Sequence, residues 1–198
     1  MTHTHDHTEE KVGFGFWVYL MSDCVLFSTL FATYAVLSPA TFGMPSIAEL
    51  TSLPFVLLET IILLTSSFTV GLAVYSAHRA EKSSRSKPLA LGLLLTTLFL
   101  GAAFLSMELY EFKHLLAEGH GPSSNAAYSA FFTLVGTHGL HVFFGVVWGI
   151  LLAVQMLKWG INAAVSRRLL CFGLFWHFLD VVWIFIFTFV YLFGALNL

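Results

Sequence analysis

The sequence predicts an all-α integral membrane protein, a five-transmembrane-helix bundle with its N-terminus inside and its C-terminus outside. Three observations predict it. Of 198 residues, 58% are hydrophobic and only 10% are charged, too little charge to cover a soluble domain, so lipid is the solvent for most of the chain. Five apolar stretches, at about 16–37, 54–77, 89–114, 127–157 and 169–193, each exceed the ~20 residues that cross ~30 Å of hydrocarbon. The basic residues fall in alternate connections, which orients the bundle. The net charge of −2 gives no electrostatic basis for nucleic acid as a partner.

Residues 1–13 form a polar, His-rich cytoplasmic tail, and 14–198 form the five-helix membrane domain. The tail is acidic rather than basic, and the apolar run after it is too long for a cleavable leader. His3, His5 and His7 read as a solvated tail, with a transition-metal site as the alternative. The first span, 16–37, carries Trp17 and Tyr19 near its start as interface anchors, a role also expected of Trp159 and Tyr191. SPATFGMPS then breaks the helix. Pro54 and Pro88 open the second and third spans, where the first turn needs no N–H donor. The connection between them holds Arg79, Lys82, Arg85 and Lys87, whereas the first and third connections hold no Lys or Arg. The fourth span, 127–157, is long enough to require tilt or a projecting end. Its Gly145 and Gly149 form a small-xxx-small pair, marking a close helix contact within this chain or to a partner. Lys158, Arg167 and Arg168 flank the connection KWGINAAVSRR before the fifth span. Short basic loops stay cytoplasmic, which fits only an inside N-terminus and an outside C-terminus. Cys24 and Cys171 both lie in apolar runs and read as packing residues.

Ionisable groups inside spans are costly, so each needs a partner or a purpose. This chain has Asp23 in the first span, Glu59 in the second, and Glu108 and Glu111 in the third. His138 and His141 follow in the fourth, and His177 and Asp180 in the fifth. A rise of ~1.5 Å per residue puts Asp23, His141 and His177 about 10–12 Å from the cytoplasmic edge, with Asp180 a little deeper. Glu59 and Glu108 fall about 8–10 Å from the outer edge, and His138 lies between the two layers. Residues at i and i+3 share a helix face. Asp180 is therefore placed to accept from His177, and His138 and His141 to point into the bundle together. Three uses stay open on spacing alone: metal or haem ligation, a proton relay, or a structural hydrogen-bond network.

Four stretches carry more specific information: GFWVYLMSDCVLFSTLFATYAVL, ELYEF, FFTLVGTHGLHV and LFWHFLDVVWIFIFTFVYLFG. In that order they resemble subunit 3 of the haem-copper respiratory oxidases, over almost the whole chain after residue 13. THGLHV at 137–142 and WHFLDVVW at 176–183 are the most specific. Length, the His-rich tail and MSDC at 21–24 look most like the cytochrome bo-type ubiquinol oxidase branch. Cytochrome c oxidase versions usually have two further N-terminal helices, for which this chain lacks room.

The resemblance implies an accessory, non-redox subunit of a proton-pumping ubiquinol oxidase that reduces O2 to water. It implies a bacterial inner (plasma) membrane location, and contacts with subunit 1, subunit 2, a small subunit 4 and phospholipids. No cofactor, metal or catalytic residue is then expected on this chain, because in the family haem, copper and the catalytic centre belong to subunits 1 and 2. His138, His141 and His177 become structural, in a network with Glu59, Glu108, Glu111 and Asp180. Glu59 departs from other branches, which put an uncharged polar residue there. Asp23 matches a position usually held by Glu, beside a lipid-filled cleft near the proton-uptake side of subunit 1, and is the lipid-cleft candidate. The rival reading is an autonomous membrane haem-binding protein or a small transporter built on the same polar layers.

Overall fold

The computed structural model describes residues 3–41, 43–80 and 87–195. Lys82 and Arg85 of the basic connection lie outside them, and so do the side chains of His3, His5 and His7. All regular structure among the described residues is helical: α1 (His3–Leu37), α2 (Ile47–Leu50), α3 (Leu53–Ala80), α4 (Lys87–Ala117), α5 (Ala126–Trp159), α6 (Ala163–Ile186) and α7 (Phe193–Ala195), with a π-helical segment at Phe187–Leu192. Five helical stretches are long and apolar enough to cross a membrane: Gly13–Leu37, Leu53–Arg79, Lys87–Ala117, Ala126–Trp159 and Ala163–Leu192.

The helix ends follow from local chemistry. Asn125 caps α5 by accepting from the Tyr128 N–H at 2.7 Å, and its amide also reaches back to the Thr41 carbonyl at 3.4 Å. Tyr128 donates its hydroxyl to the Pro45 carbonyl at 2.8 Å, so the first connection is pinned to the start of α5. Asn162 caps α6 in the same way, accepting from the Val165 N–H at 3.0 Å. The fifth span therefore starts six residues before the expected 169. The cap and the partly apolar AAVS turn were sufficient to start a helix there, while Gly160 (φ 70°) closes α5 in a backbone conformation other residues resist. The backbone of α1 is helical from His3, ahead of the apolar run. Extending an existing helix costs far less than nucleating one.

Packing is uneven. α3 and α4 make the most extensive pair, and α6 lies against α3 and α5 at the centre. The most apolar stretch of the last span is 56% buried within the chain, against 11% for that of α1. α1 leans on α5 and α6 only along one edge, through Leu20, Asp23 and Phe27. An apolar cleft of about 700 Å³ opens between α1 and the C-terminal half of α6. Its walls include Cys24, Phe27, Phe31 and Tyr34 on one side, and Phe178 and Phe185 on the other.

The centre of the bundle is built around Trp176. A Cβ on Gly101 of α4 would stand 2.7 Å from its ring, and one on Gly145 of α5 would stand 3.0 Å away. Both helices approach α6 closely because neither has a side chain there. Gly149 makes room for Leu98 and Phe172. The Gly145–Gly149 pair therefore serves contacts inside this chain.

Candidate functional site

The intramembrane polar residues sort into separate clusters, each set by a different helix pair. The first lies between α3, α4 and the π-helical segment. Glu59 is fully buried, Glu108 and Glu111 nearly so, and the three carboxyl groups are close enough for their charges to interact. The Tyr191 hydroxyl donates to Glu111 Oε2 at 3.2 Å. Tyr191 is only 1% exposed, so it is not the interface anchor expected from its place near a span end. The π-helical segment, in which the Phe193 N–H reaches the Thr188 carbonyl, changes the register of the last turns and keeps Tyr191 on the buried face. Gly139 of α5 lets Glu108 lie against its backbone: a Cβ there would stand 2.5 Å from Glu108 Oε1. Neither oxygen of Glu59 or of Glu108 meets a hydrogen-bond donor among the described residues. A shallow cavity lined by Thr51, Ser52, Glu111 and His114 runs from this cluster to the end of the bundle that carries the first and third connections.

The second cluster joins α1 to α5. Asp23 is 7% exposed, and its Oδ2 stands 3.9 Å from His141 Nε2. His141 Nδ1 lies 2.8 Å from its own helix carbonyl at Thr137, which orients the ring toward α1. The Phe27 ring covers His141, with centroids 5.2 Å apart, and lines the cleft on its other side. Asp23 does not itself line the cleft, but its chain neighbour Cys24 and Phe27, one turn on, both do.

The third cluster corrects an expected pairing. His177 does not donate to Asp180; its Nδ1 is 2.6 Å from Ser67 Oγ on α3. Asp180, which is buried, faces the same Ser67. The i, i+3 spacing puts both side chains on one sector of α6, but α3 packs into that sector and Ser67 intervenes. His138 and His141 also diverge. His138 is completely buried in an aromatic box of Phe104, Trp183 and Phe27, with neither ring nitrogen hydrogen-bonded among the described residues. His141 is half-buried and faces α1.

Several contributors were not singled out from the sequence. Ser66 accepts from the Trp176 indole at 2.9 Å, Thr60 accepts from the Trp183 indole at 3.0 Å, and Thr69 bonds Thr97 at 2.8 Å. The signal was present in α3, whose hydroxyl residues 60, 66, 67 and 69 recur at helical spacing on the α6 and α4 sides. Among the described residues no three His, Cys, Asp or Glu side chains converge in an arrangement that could hold a metal ion. What the clusters can do chemically is bind helices to one another through buried polar contacts, or hold protons at carboxyl groups.

A family model for cytochrome c oxidase subunit III matches residues 1–195. Cytochrome bo(3) ubiquinol oxidase subunit 3 of Pseudomonas aeruginosa is 54% identical over 197 residues, covering 98% of this chain and 92% of that protein. Cytochrome c oxidase subunit 3 of Bacillus sp. (strain PS3) is 46% identical over 183 residues, 92% of this chain and 86% of that protein. The probable quinol oxidase subunit 3 of Staphylococcus aureus is 42% identical over 192 residues, 96% of this chain and 92% of its own length. With five apolar helices in place and likeness running nearly end to end, this multi-pass membrane chain belongs to the cytochrome c oxidase subunit III family.

Proposed function

We propose that this chain is the accessory, non-redox subunit 3 of a proton-pumping ubiquinol oxidase that reduces O2 to water, active only as part of that complex. The observation that carries the reading is the 54% identity, over almost all of both chains, to a subunit 3 named for a bo(3) ubiquinol oxidase. The chain packs on subunit 1, with subunit 2 and a small subunit 4 in the same assembly. It sits in a bacterial plasma membrane with its N-terminus in the cytoplasm and its C-terminus outside, as the alternation of basic connections requires. Haems and copper reside on partner subunits. The test is to purify the assembly from native membranes, identify this chain beside the haem-bearing subunit, and record the visible spectrum of the chain alone. A Soret band in the isolated chain, lost on His138→Ala or His177→Ala, would instead favour an autonomous haem protein.

The polar clusters of Glu59, Glu108, Glu111, His138, His141, His177 and Asp180 serve to lock helices in register. Asp180→Ala and His141→Ala are each expected to destabilise the bundle by ~1–3 kcal/mol, the cost of leaving a buried polar partner unmet. Turnover of whatever complex assembles is expected to stay near that of the parent. Full assembly combined with abolished electron transfer in either variant would reverse the assignment.

The cleft between α1 and α6 holds phospholipid. Its apolar walls suit acyl chains, and the sparse packing of α1 leaves it open to the bilayer. Asp23 acts on the cleft at one remove, because its pairing with His141 steadies the Phe27 ring that lines the wall. Asp23→Ala is expected to spare folding and initial oxygen reduction, to lower the phospholipid retained through detergent purification, and to speed inactivation during turnover. Native mass spectrometry and a turnover time course measure both; unchanged lipid content and an unchanged inactivation rate reduce Asp23 to a packing residue.

A further inference from the structure

His177 stands midway along the thirty-residue span Ala163–Leu192, yet its side chain is exposed on the outside of the bundle. Its Nδ1 is held by Ser67, itself midway along the span Leu53–Arg79. Its Nε2 has no hydrogen-bond partner among the described residues. Gly71, one turn from Ser67, leaves that edge of the ring uncovered: a Cβ there would stand 3.7 Å from Nε2. Around it the face is apolar, with Leu174 on α6 and Leu64 and Phe68 on α3 between 42% and 67% exposed.

Other exposed polar side chains in the spans do not pose the same problem. Ser28, Thr29, Thr65, Thr96, Ser106 and Thr133 each donate to a carbonyl of their own helix, and so present little polarity to lipid. Exposed Arg79 and Lys113 lie near span ends, where a long side chain reaches water. His177 has neither escape. Its side chain is too short to snorkel from that depth, since helix rise puts it about 10–12 Å from the nearer edge of the ~30 Å hydrocarbon layer. Only a group delivered at the same depth can meet the ring nitrogen, and a transmembrane helix delivers one.

We propose that the α3/α6 face centred on His177 is the seam against which a transmembrane helix of another oxidase subunit packs, presenting a hydroxyl side chain to the free imidazole nitrogen. The inference rests on the proposed place of this chain in an oxidase complex, and it names the surface used there. A hydroxyl fits because it donates or accepts, and so serves either tautomer that the Ser67 contact selects. Gly71 permits the close backbone approach that helix association in lipid depends on. Leu64, Phe68 and Leu174 supply the surrounding van der Waals contact.

The test uses the whole complex in native membranes, with a photo-crosslinking amino acid replacing Leu174 or, separately, Phe68. Illumination is expected to join this chain covalently to another oxidase subunit from both positions. Adducts with lipid or quinol alone, or no polypeptide adduct from either position, would overturn the proposal. Because His177 is intact in those variants, the result does not depend on whether a His177 substitution folds. In a second measurement, His177→Leu is expected to lower the chain retained in the detergent-purified complex about threefold to tenfold, the effect of one intramembrane hydrogen bond. His177→Asn is expected to restore part of it. Retention equal to the parent in His177→Leu would refute the hydrogen-bonding role. Absence of the unaltered chain from the purified oxidase would refute the complex itself, and is seen before any crosslink is attempted.

Discussion

Trp176→Ala is expected to destabilise the bundle by about 3 kcal/mol, among the largest effects of any single truncation in this chain. Trp176 is 1% exposed and fills the space that Gly101 and Gly145 leave on two neighbouring helices. Transfer to lipid costs an apolar side chain little, since hydrocarbon is as apolar as the core, so the loss comes from vanished dispersion contacts and the cavity left behind. The indole hydrogen bond to Ser66 is lost too, but Ser66 keeps its own bond to the Leu63 carbonyl and is not left unsatisfied. The measurement is the thermal midpoint of the detergent-purified protein, read by labelling of half-buried Cys171 on the same helix in a Cys24→Ser background, since Cys24 is already exposed. A midpoint equal to that of the parent would mean that α4, α5 and α6 close over the gap, and that Trp176 is filler rather than the pivot of the packing.

Gly149→Leu acts in the opposite direction, by adding volume where none is free. A Cβ at Gly149 already collides with a methyl of Leu98 and would lie 3.1 Å from the Phe172 ring. A full leucine must therefore push α5 away from α4 and α6, and overpacking of this kind costs about 1–3 kcal/mol or more. The variant is expected to accumulate poorly in membranes and to unfold at a lower temperature. Leu98→Ala in the same chain is expected to recover part of the loss, because it removes the methyl that collides. Gly136→Ala supplies the control. Its Cβ meets only Phe112, at an ordinary 3.7 Å, so it is expected to be neutral or slightly stabilising through the better helix propensity of alanine. Equal behaviour of Gly149→Leu and Gly136→Ala would show that the α5 glycines do not set helix spacing.

The spans were legible because hydrophobic length is a one-dimensional property. Expected boundaries at 54–77 and 89–114 meet helices spanning Leu53–Arg79 and Lys87–Ala117. The miss at the fifth span came from Asn162, a cap whose effect depends on side-chain geometry rather than hydropathy. The residues of the polar clusters were also legible, since ionisable groups stand out in apolar runs. Their partners were less so. Helical spacing placed His177 beside Asp180, but it could not show that α3 inserts Ser67 at that sector. Tyr191 was assigned by its place near a span end, and a π-helical segment keeps it on the buried face beside Glu111.

Composition, span length and motif order by themselves determined that this is a five-helix membrane protein of the subunit III family. Those properties are written along one chain and need no knowledge of neighbours. Tertiary structure alone decided which polar group meets which, that Gly145 and Gly149 serve contacts within the chain, and that α1 stands off far enough to open a cleft. It also decided that His177, although chemically like the other intramembrane histidines, faces outward. The reason is physical: in lipid almost every span residue is apolar enough to face either way. Which side is buried is then set by glycine gaps, indole–hydroxyl bonds and side-chain volumes on other helices, and these come together only in the packed bundle.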